Sequence, residues 1–212
     1  MQFEPETIAM RKTANTGIPA ARSAKRHLLQ GCAIAAGLAA LAYGGPALAQ
    51  VQANPVFVNV GVGSSVSSNA GTKTTTVTVT QNQSIINWVP TDTAPTGGAI
   101  DLLPADSTWN FNGNGNYVVL NRFVNGSGGS LSRQIALSGA INSTDTATGA
   151  TGGSIWFYNA GGILLNSGSA INVGSLLLTA NDIDTTGGLF GPGGEIRFRG
   201  ASGSTAAIRI DA

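Results

Sequence analysis

Short apolar runs separated by polar corners dominate the stretch from Gly153 to Asp184. Three of these runs are Ile155 to Tyr158, Ile163 to Leu165 and Leu176 to Leu178, and each ends at a corner rich in asparagine, glycine or serine. Such residues favour tight turns, because they tolerate the positive φ that a sharp change of direction often demands. The pattern therefore predicts short β-strands joined by tight turns, with no helix.

Strand patterns also precede this stretch. Residues 74–80 alternate threonine and valine with a period of two, which predicts a half-buried strand, and residues 84–89 predict the next strand. Prolines surround the apolar piece 100–103 and favour an edge or a cap there, since proline cannot donate to a sheet ladder. Residues 50–73 are interpreted as a lead-in or cap strand.

Strand starts recur at a nearly fixed interval in the second half of the chain. The first apolar residues of four strands, Ile135, Ile155, Leu176 and Ile196, are spaced by 20, 21 and 20 residues. A period in this range is typical of stacked units, and three short strands per unit indicate one turn of a parallel β-helix. The polar segment 142–153 is interpreted as an extruded loop or hairpin. A β-sandwich or an up-and-down barrel remains an alternative, although runs of three residues are short for sandwich strands.

The first 49 residues predict a cleaved signal peptide with a long n-region. Basic residues precede an apolar run from Cys32 to Tyr43, and Ala47-Leu48-Ala49 has the small-x-small pattern of a cleavage site before Gln50. The apolar run is shorter than the roughly 20 residues that span a bilayer. Translation is expected to begin at Met1 or Met10.

Composition narrows the chemistry of the remaining chain. The only cysteine and the only histidine, Cys32 and His27, lie in the predicted signal, so disulfides, thiol nucleophiles, histidine triads and most zinc sites are excluded after cleavage. From Gln50 onward the chain has six basic and eight acidic residues, and it contains no cluster of basic residues that would favour nucleic-acid binding. The sequence predicts no cofactor and no metal. The cleaved chain is not expected to span a membrane.

Four sequence blocks resemble, in the same order, the N-terminal secretion (TPS) domain of filamentous-haemagglutinin-like exoproteins, which Gram-negative bacteria export by two-partner secretion. The blocks are IINW (Ile85–Trp88), VVLNRF (Val118–Phe123), YNAGGILL (Tyr158–Leu165) and AINVGSLLLTANDID (Ala170–Asp184). The resemblance covers most of the predicted mature chain. Together with the repeat, it implies an all-β fold over residues 74–212: a right-handed single-stranded parallel β-helix with an N-terminal β cap and an extruded loop or hairpin.

The resemblance also implies a function. Such a domain targets a large secreted or cell-surface adhesin for export through the periplasm: the general export machinery carries it across the inner membrane, and POTRA domains of an outer-membrane barrel transporter then recognise it. The domain folds outside the cell and nucleates folding of the later part of the exoprotein. Further implied partners are surface ligands on host or neighbouring cells. We expect the chain to be the N-terminal part of a longer exoprotein.

Five residues are the candidate secretion determinants. Asn159, Gly162 and Ile163 match the family's Asn-Pro-Asn-Gly-Ile signature, whereas its proline and second asparagine are replaced here. Asn121 and Arg122 match the second block and are candidates for contacting the transporter. Two plainer alternatives remain: the turn at 159–163 can be a structural corner, and Arg122 can cap the stack of strands or pair with an acid.

Other functions are weighed on the same residues. A self-sufficient β-helical adhesin or matrix protein, or the passenger of an autotransporter, needs no motif. A carbohydrate-active enzyme needs clustered acids facing across a groove, and the acids here are scattered, so catalysis is not predicted. Asp182 and Asp184 could bind calcium, but solvated or turn-bonding carboxylates are the favoured interpretation.

Overall fold

A computed structural model describes residues 50–51, 56–60, 63–91, 97–185, 196–200 and 204–211, the first two ranges as backbone only. Within them the chain is all-β, as predicted, and no described helix is long and apolar enough to cross a membrane. The strands are β1 (Gln50–Val51), β2 (Val56–Val60), β3 (Ser64–Asn69), β4 (Thr74–Val79), β5 (Gln83–Val89), β6 (Ile100–Leu103), β7 (Thr108–Gly113), β8 (Val118–Phe123), β9 (Ile135–Leu137), β10 (Ala140–Asp145), β11 (Ser154–Tyr158), β12 (Ile163–Leu165), β13 (Ala170–Asn172), β14 (Ser175–Thr179), β15 (Asp182–Ile183), β16 (Phe198–Arg199) and β17 (Ile208–Ile210).

The strands form three five-stranded sheets and one two-stranded sheet. Sheet 1 has the order β1-β6-β9-β12-β17, sheet 2 the order β13-β10-β7-β4-β3, and sheet 3 the order β14-β11-β8-β5-β2. From β4 to β14 the chain enters sheets 2, 3 and 1 in turn, and neighbouring strands of that region are parallel. Each sheet therefore collects every third strand.

The predicted single right-handed β-helix is wrong. The structure contains several separate small sheets, and two of them are mixed, because β2 runs antiparallel to β5 and β3 runs antiparallel to β4. In addition, β15 and β16 form an antiparallel pair of their own. The pattern of apolar and polar residues predicted where strands lie. It does not determine which strands pair, whether a pair is parallel or antiparallel, or the handedness of the connections. The β3–β4 pair illustrates this, since the chain reverses over residues 70–73 and lays β3 antiparallel beside β4.

The predicted 20-residue repeat is also wrong as a guide to pairing. Ile155 does pair with Leu176 in sheet 3. Ile135 instead belongs to sheet 1, where it lies between Ile100 and Ile163. Corner segments of unequal length cause the mismatch: residues 145–150 alone add a hairpin turn closed by the hydrogen bond from Asp145 N–H to the Ala150 carbonyl.

One apolar core draws side chains from all three five-stranded sheets. Alternate residues of each strand point inward, so that Ile135 and Ile163 lie in sheet 1, Ile141 in sheet 2 and Ile155 in sheet 3, all with no exposed surface. Aromatic rings fill the centre. The ring centroids of Trp88 and Trp109 are 4.6 Å apart in a stacked pair, and those of Phe123 and Phe157 are 6.2 Å apart.

Candidate functional site

The four blocks that carry the resemblance lie on neighbouring strands of sheet 3 and their continuations. IINW lies in β5, VVLNRF is β8, YNAGGILL runs from the end of β11 into β12, and the fourth block runs from β13 through β14 to β15. Strands β5, β8, β11 and β14 are consecutive neighbours in this sheet. Segments far apart in sequence are thus brought side by side.

Asn121 is a polar residue inside the core. Its inward position in β8 lies between Ile86 of β5 and Phe157 of β11, and it has no exposed surface. Its side-chain oxygen accepts a hydrogen bond from Trp88 Nε1 at 2.9 Å, and its Nδ2 donates to the Trp156 carbonyl at 3.1 Å. The side chain therefore ties three adjacent strands together through the polar groups that a buried amide requires.

The outer face of sheet 3 is apolar as well. A second cluster of buried residues, Leu120, Trp156, Tyr158 and Ile183, lies outside the main core. Ile183 of β15 is 1 % exposed, so the segment after β14 lies over this face. Burial on both faces explains why β11 has four successive large apolar or aromatic residues, Ile155 to Tyr158, rather than an alternating pattern.

Arg122 lies on this outer face. Its Nη2 donates to both carboxylate oxygens of Asp182 at 2.7 Å, and its Cζ lies 5.7 Å from the centroid of the Tyr158 ring. The guanidinium Nε is buried and has no hydrogen-bond partner. Arg122 thus holds β15 against sheet 3 by an ion pair and a cation–π contact. This is the acid-pairing alternative that the sequence had left open.

The three residues of the turn at 159–163 that match the family signature are buried. Asn159 is fully buried, and its Nδ2 donates to the carbonyls of Gly162 at 2.6 Å and Arg133 at 2.8 Å. Gly162 has a φ of 93°, which favours glycine. Ile163 points into the main core with no exposed surface. The side chains that match the signature are therefore structural in the folded state, and the Asn159 Oδ1 atom is buried without a partner.

A polar groove of about 500 Å³ lies beside this turn. Its walls are residues 204–207, the Ala160–Gly161 corner, and Ser130, Ser132 and Gln134. Gly161 is packed tightly, because a Cβ there would lie 2.2 Å from the Arg133 carbonyl oxygen. The described residues that line the groove offer hydroxyl and amide groups and include no acid or base.

The two aspartates that were considered as calcium ligands each pair with an arginine. Asp182 binds Arg122, and Asp184 accepts a hydrogen bond from Arg199 Nη2 at 2.5 Å. Among the described residues, no group of three potential metal ligands is found. The cleavage residues Ala47 and Ala49 lie outside the described part of the chain, and Gln50 begins β1 with its backbone opposite Ile100.

Local contacts shift the pKa values of titratable groups elsewhere in the described chain. Burial raises the pKa of Asp101, against the lowering effect of its hydrogen bond with Ser138, and burial also raises the pKa of Tyr117. Backbone hydrogen bonds from Gly115 and Ala147 lower the pKa of Asp145. Tyr117 and Asp145 lie near each other, since the Asp145 charge also helps to raise the pKa of Tyr117, whereas Asp101 lies in β6 of sheet 1.

Two structural residues were not singled out from the sequence. Arg133 is 6 % exposed, and its Nε and Nη2 donate to the Gly98 carbonyl while its own carbonyl accepts from Asn159. Tyr117 lies between Gly113 and Gly153, and its hydroxyl is 2.8 Å from the Phe111 carbonyl oxygen. Arg133 is an isolated arginine in a polar loop, and no sequence pattern marks it. The glycines at 113 and 153 are the signal that could have suggested close packing around the Tyr117 ring.

Comparison of this chain with protein-family models, with curated proteins and with solved structures gives no match.

Proposed function

We propose that this chain is the secretion-targeting domain of an exported bacterial surface protein, recognised by the POTRA domains of an outer-membrane transporter. The observation that carries the proposal is that side-chain contacts join all four blocks. Trp88 Nε1 donates to Asn121 Oδ1, which joins the first block to the second. Arg122 of the second block lies against the Tyr158 ring of the third block and forms an ion pair with Asp182 of the fourth. The resembling residues thus form one connected part of the molecule.

The burial of the candidate determinants favours recognition before folding. Asn121, Asn159 and Ile163 have no exposed surface once the sheets form. Their side chains are available to a partner only while the chain is unfolded or partly folded. In that state an extended segment can add a strand to a partner sheet, so that backbone hydrogen bonds supply affinity and side-chain pockets supply choice.

The same residues then stabilise the folded domain outside the cell. The turn at 159–163 closes through two hydrogen bonds from Asn159, and Asn121 joins three strands of sheet 3. Burial of apolar surface during folding favours the folded product and disfavours return of the chain through the transporter. Recognition and folding would use the same residues at different times.

Binding to purified POTRA domains tests this proposal. The POTRA domains come from the outer-membrane transporter that the proposal requires, which is sought among the genes next to the one for this chain. Binding is measured with the whole chain folded and with the whole chain held unfolded in urea. We expect the unfolded chain to bind at least about tenfold more tightly. The double variant Asn159→Ala, Ile163→Ser is expected to weaken binding of the unfolded chain.

A matched control separates motif from composition. Ile141→Ser with Asn142→Ala changes the same residue types outside the four blocks and is expected to leave binding of the unfolded chain unchanged. Tighter binding of the folded chain, or equal loss in the two double variants, would contradict recognition of the 159–163 segment before folding.

A further inference from the structure

One end of the three sheets is apolar and unpaired. Strands β13, β14 and β17 are the last strands of sheets 2, 3 and 1, and no described strand pairs with their outer edges. In these last strands, side chains on the core-facing side continue rows of buried side chains but are themselves exposed. Ile210 lies opposite Leu165 in sheet 1, and their exposed fractions are 67 % and 6 %. Large exposed hydrophobic side chains in the described chain occur only from Leu176 onward.

The opposite end has a different character. There β3 runs antiparallel along the edge of sheet 2 and exposes serine and asparagine, while its Val66 packs partly against the core. The described side chains of β3 therefore offer the apolar end no matching apolar surface. An apolar end that meets a second copy of itself gives a closed two-fold pair.

Residues 209–211, which are the end of β17 and the residue that follows it, are complementary to themselves when two copies pair antiparallel. Arg209 and Asp211 lie two residues apart on one face, with Arg209 Nε 2.7 Å from Asp211 Oδ1. Pairing two copies about Ile210 places Arg209 opposite the partner's Asp211, and Asp211 opposite the partner's Arg209. Opposite charges in directly facing positions stabilise antiparallel strands. Residues 208–211 include no proline, and the single positive charge of Arg209 and single negative charge of Asp211 leave no net charge that would repel a second copy.

We propose that two copies of this chain associate head to head by antiparallel pairing of their β17 strands about Ile210. The pairing continues sheet 1 across the interface and brings the apolar ends together. Ile208, Ile210 and Leu176 lose their exposure in this arrangement, which supplies the hydrophobic contribution. The facing Arg209 and Asp211 side chains set the register.

Charge reversal tests the register. The association constant of the whole chain is measured by sedimentation velocity over a range of concentrations. Arg209→Asp or Asp211→Arg alone places like charges opposite each other at two symmetric positions and is expected to weaken association about tenfold or more. The double variant Arg209→Asp, Asp211→Arg restores opposite charges and is expected to restore association.

A control uses another exposed ion pair. Asp106→Lys places a like charge beside Lys73, which pairs with Asp106 next to β4 and away from β17. Association is expected to remain unchanged in this variant. Circular dichroism of all variants checks that the strands are retained.

Cysteine cross-linking measures the same register without altering charge. In a background of Cys32→Ser, Ile210→Cys places two thiols opposite each other, with Cα atoms about 5 Å apart, within disulfide range. Ile208→Cys places its two thiols roughly 13 Å apart along the strand. Oxidation is expected to give a covalent dimer for Ile210→Cys and little for Ile208→Cys.

The outcomes separate the alternatives. A restored dimer in the double charge variant together with selective Ile210→Cys cross-linking supports the proposal. A monomer at all concentrations, growth into open assemblies, failure of the double variant to restore association, or equal cross-linking at both cysteine positions overturns it.

Discussion

At the scale of single residues, Asn121 shows how a polar group can organise an apolar core. It occupies an inward position among isoleucine, tryptophan and phenylalanine, yet its amide is hydrogen-bonded to two neighbouring strands. A buried amide in this position fixes the register of β8 against its two neighbouring strands, because a shift of register would separate the amide from its hydrogen-bond partners.

Replacing Asn121 with leucine is expected to lower the free energy of unfolding by about 2–4 kcal/mol. The substitution keeps the volume but removes both side-chain hydrogen bonds from a fully buried position. Urea unfolding followed by tryptophan fluorescence measures the change.

Asn142→Leu is the control for this prediction. Asn142 donates from Nδ2 to Asn110 Oδ1 at 3.1 Å but is only half-buried, so its loss is expected to cost about 1 kcal/mol or less. Equal losses for the two leucine variants would contradict a special role for Asn121 in the core.

The sequence identified important residues but not their surroundings. Asn121 and Asn159 stood out because of the blocks that contain them, and both take part in hydrogen bonds that link strands. Their burial was not predicted, since the partners come from residues 26 to 35 positions away. Arg122 was identified with two possible roles, and the ion pair with Asp182 depends on a contact across 60 positions.

At the scale of elements, turns are shaped by close packing against neighbouring strands. Tyr117 precedes β8, and its ring fills the space between Gly113 and Gly153. A Cβ at Gly153 would lie 2.3 Å from the Tyr117 Cζ atom, and the φ of Gly153 is 77°. Both features require glycine where β11 begins.

Gly153→Ala is expected to destabilise the domain by roughly 3 kcal/mol, because it combines backbone strain with a collision against a ring held in the core. Gly149→Ala provides the comparison, since Gly149 has a φ of 72° but no atom within 4 Å of the position that an alanine Cβ would take. It is expected to cost only about 1 kcal/mol.

Thermal and urea unfolding of both alanine variants measure the difference. Similar losses of unfolding free energy in the two variants would contradict this prediction. They would mean that the positive φ alone sets the destabilisation and that the Tyr117 contact contributes little.

Strand positions were more predictable than strand partners. The alternating pattern of residues 74–80 and the run 84–89 correspond to β4 and β5 within one residue at each end. Period-two patterning and turn residues are local signals, so they survive in a single sequence. Pairing depends on how much chain each corner inserts, which is why Ile135 joined Ile163 rather than Ile155.

At the scale of the whole molecule, burial and exposure are unevenly distributed. The candidate determinants lie in the interior or under β15, whereas the edges of β13, β14 and β17 are apolar and unpaired within the described residues. Under the proposed function the buried residues are recognised before the chain folds, and under the proposed association the unpaired end pairs after it folds. The two proposals therefore concern different stages and different surfaces.

Export dependent on a partner transporter is the central claim. The most direct measurement compares the amount of this protein in the culture medium of cells with and without the gene for the POTRA-bearing outer-membrane transporter that the proposed function requires. The proposal predicts that deletion abolishes release and that the protein is retained in the periplasm, with release restored by the transporter gene on a plasmid. Unchanged release from the deletion strain would contradict it.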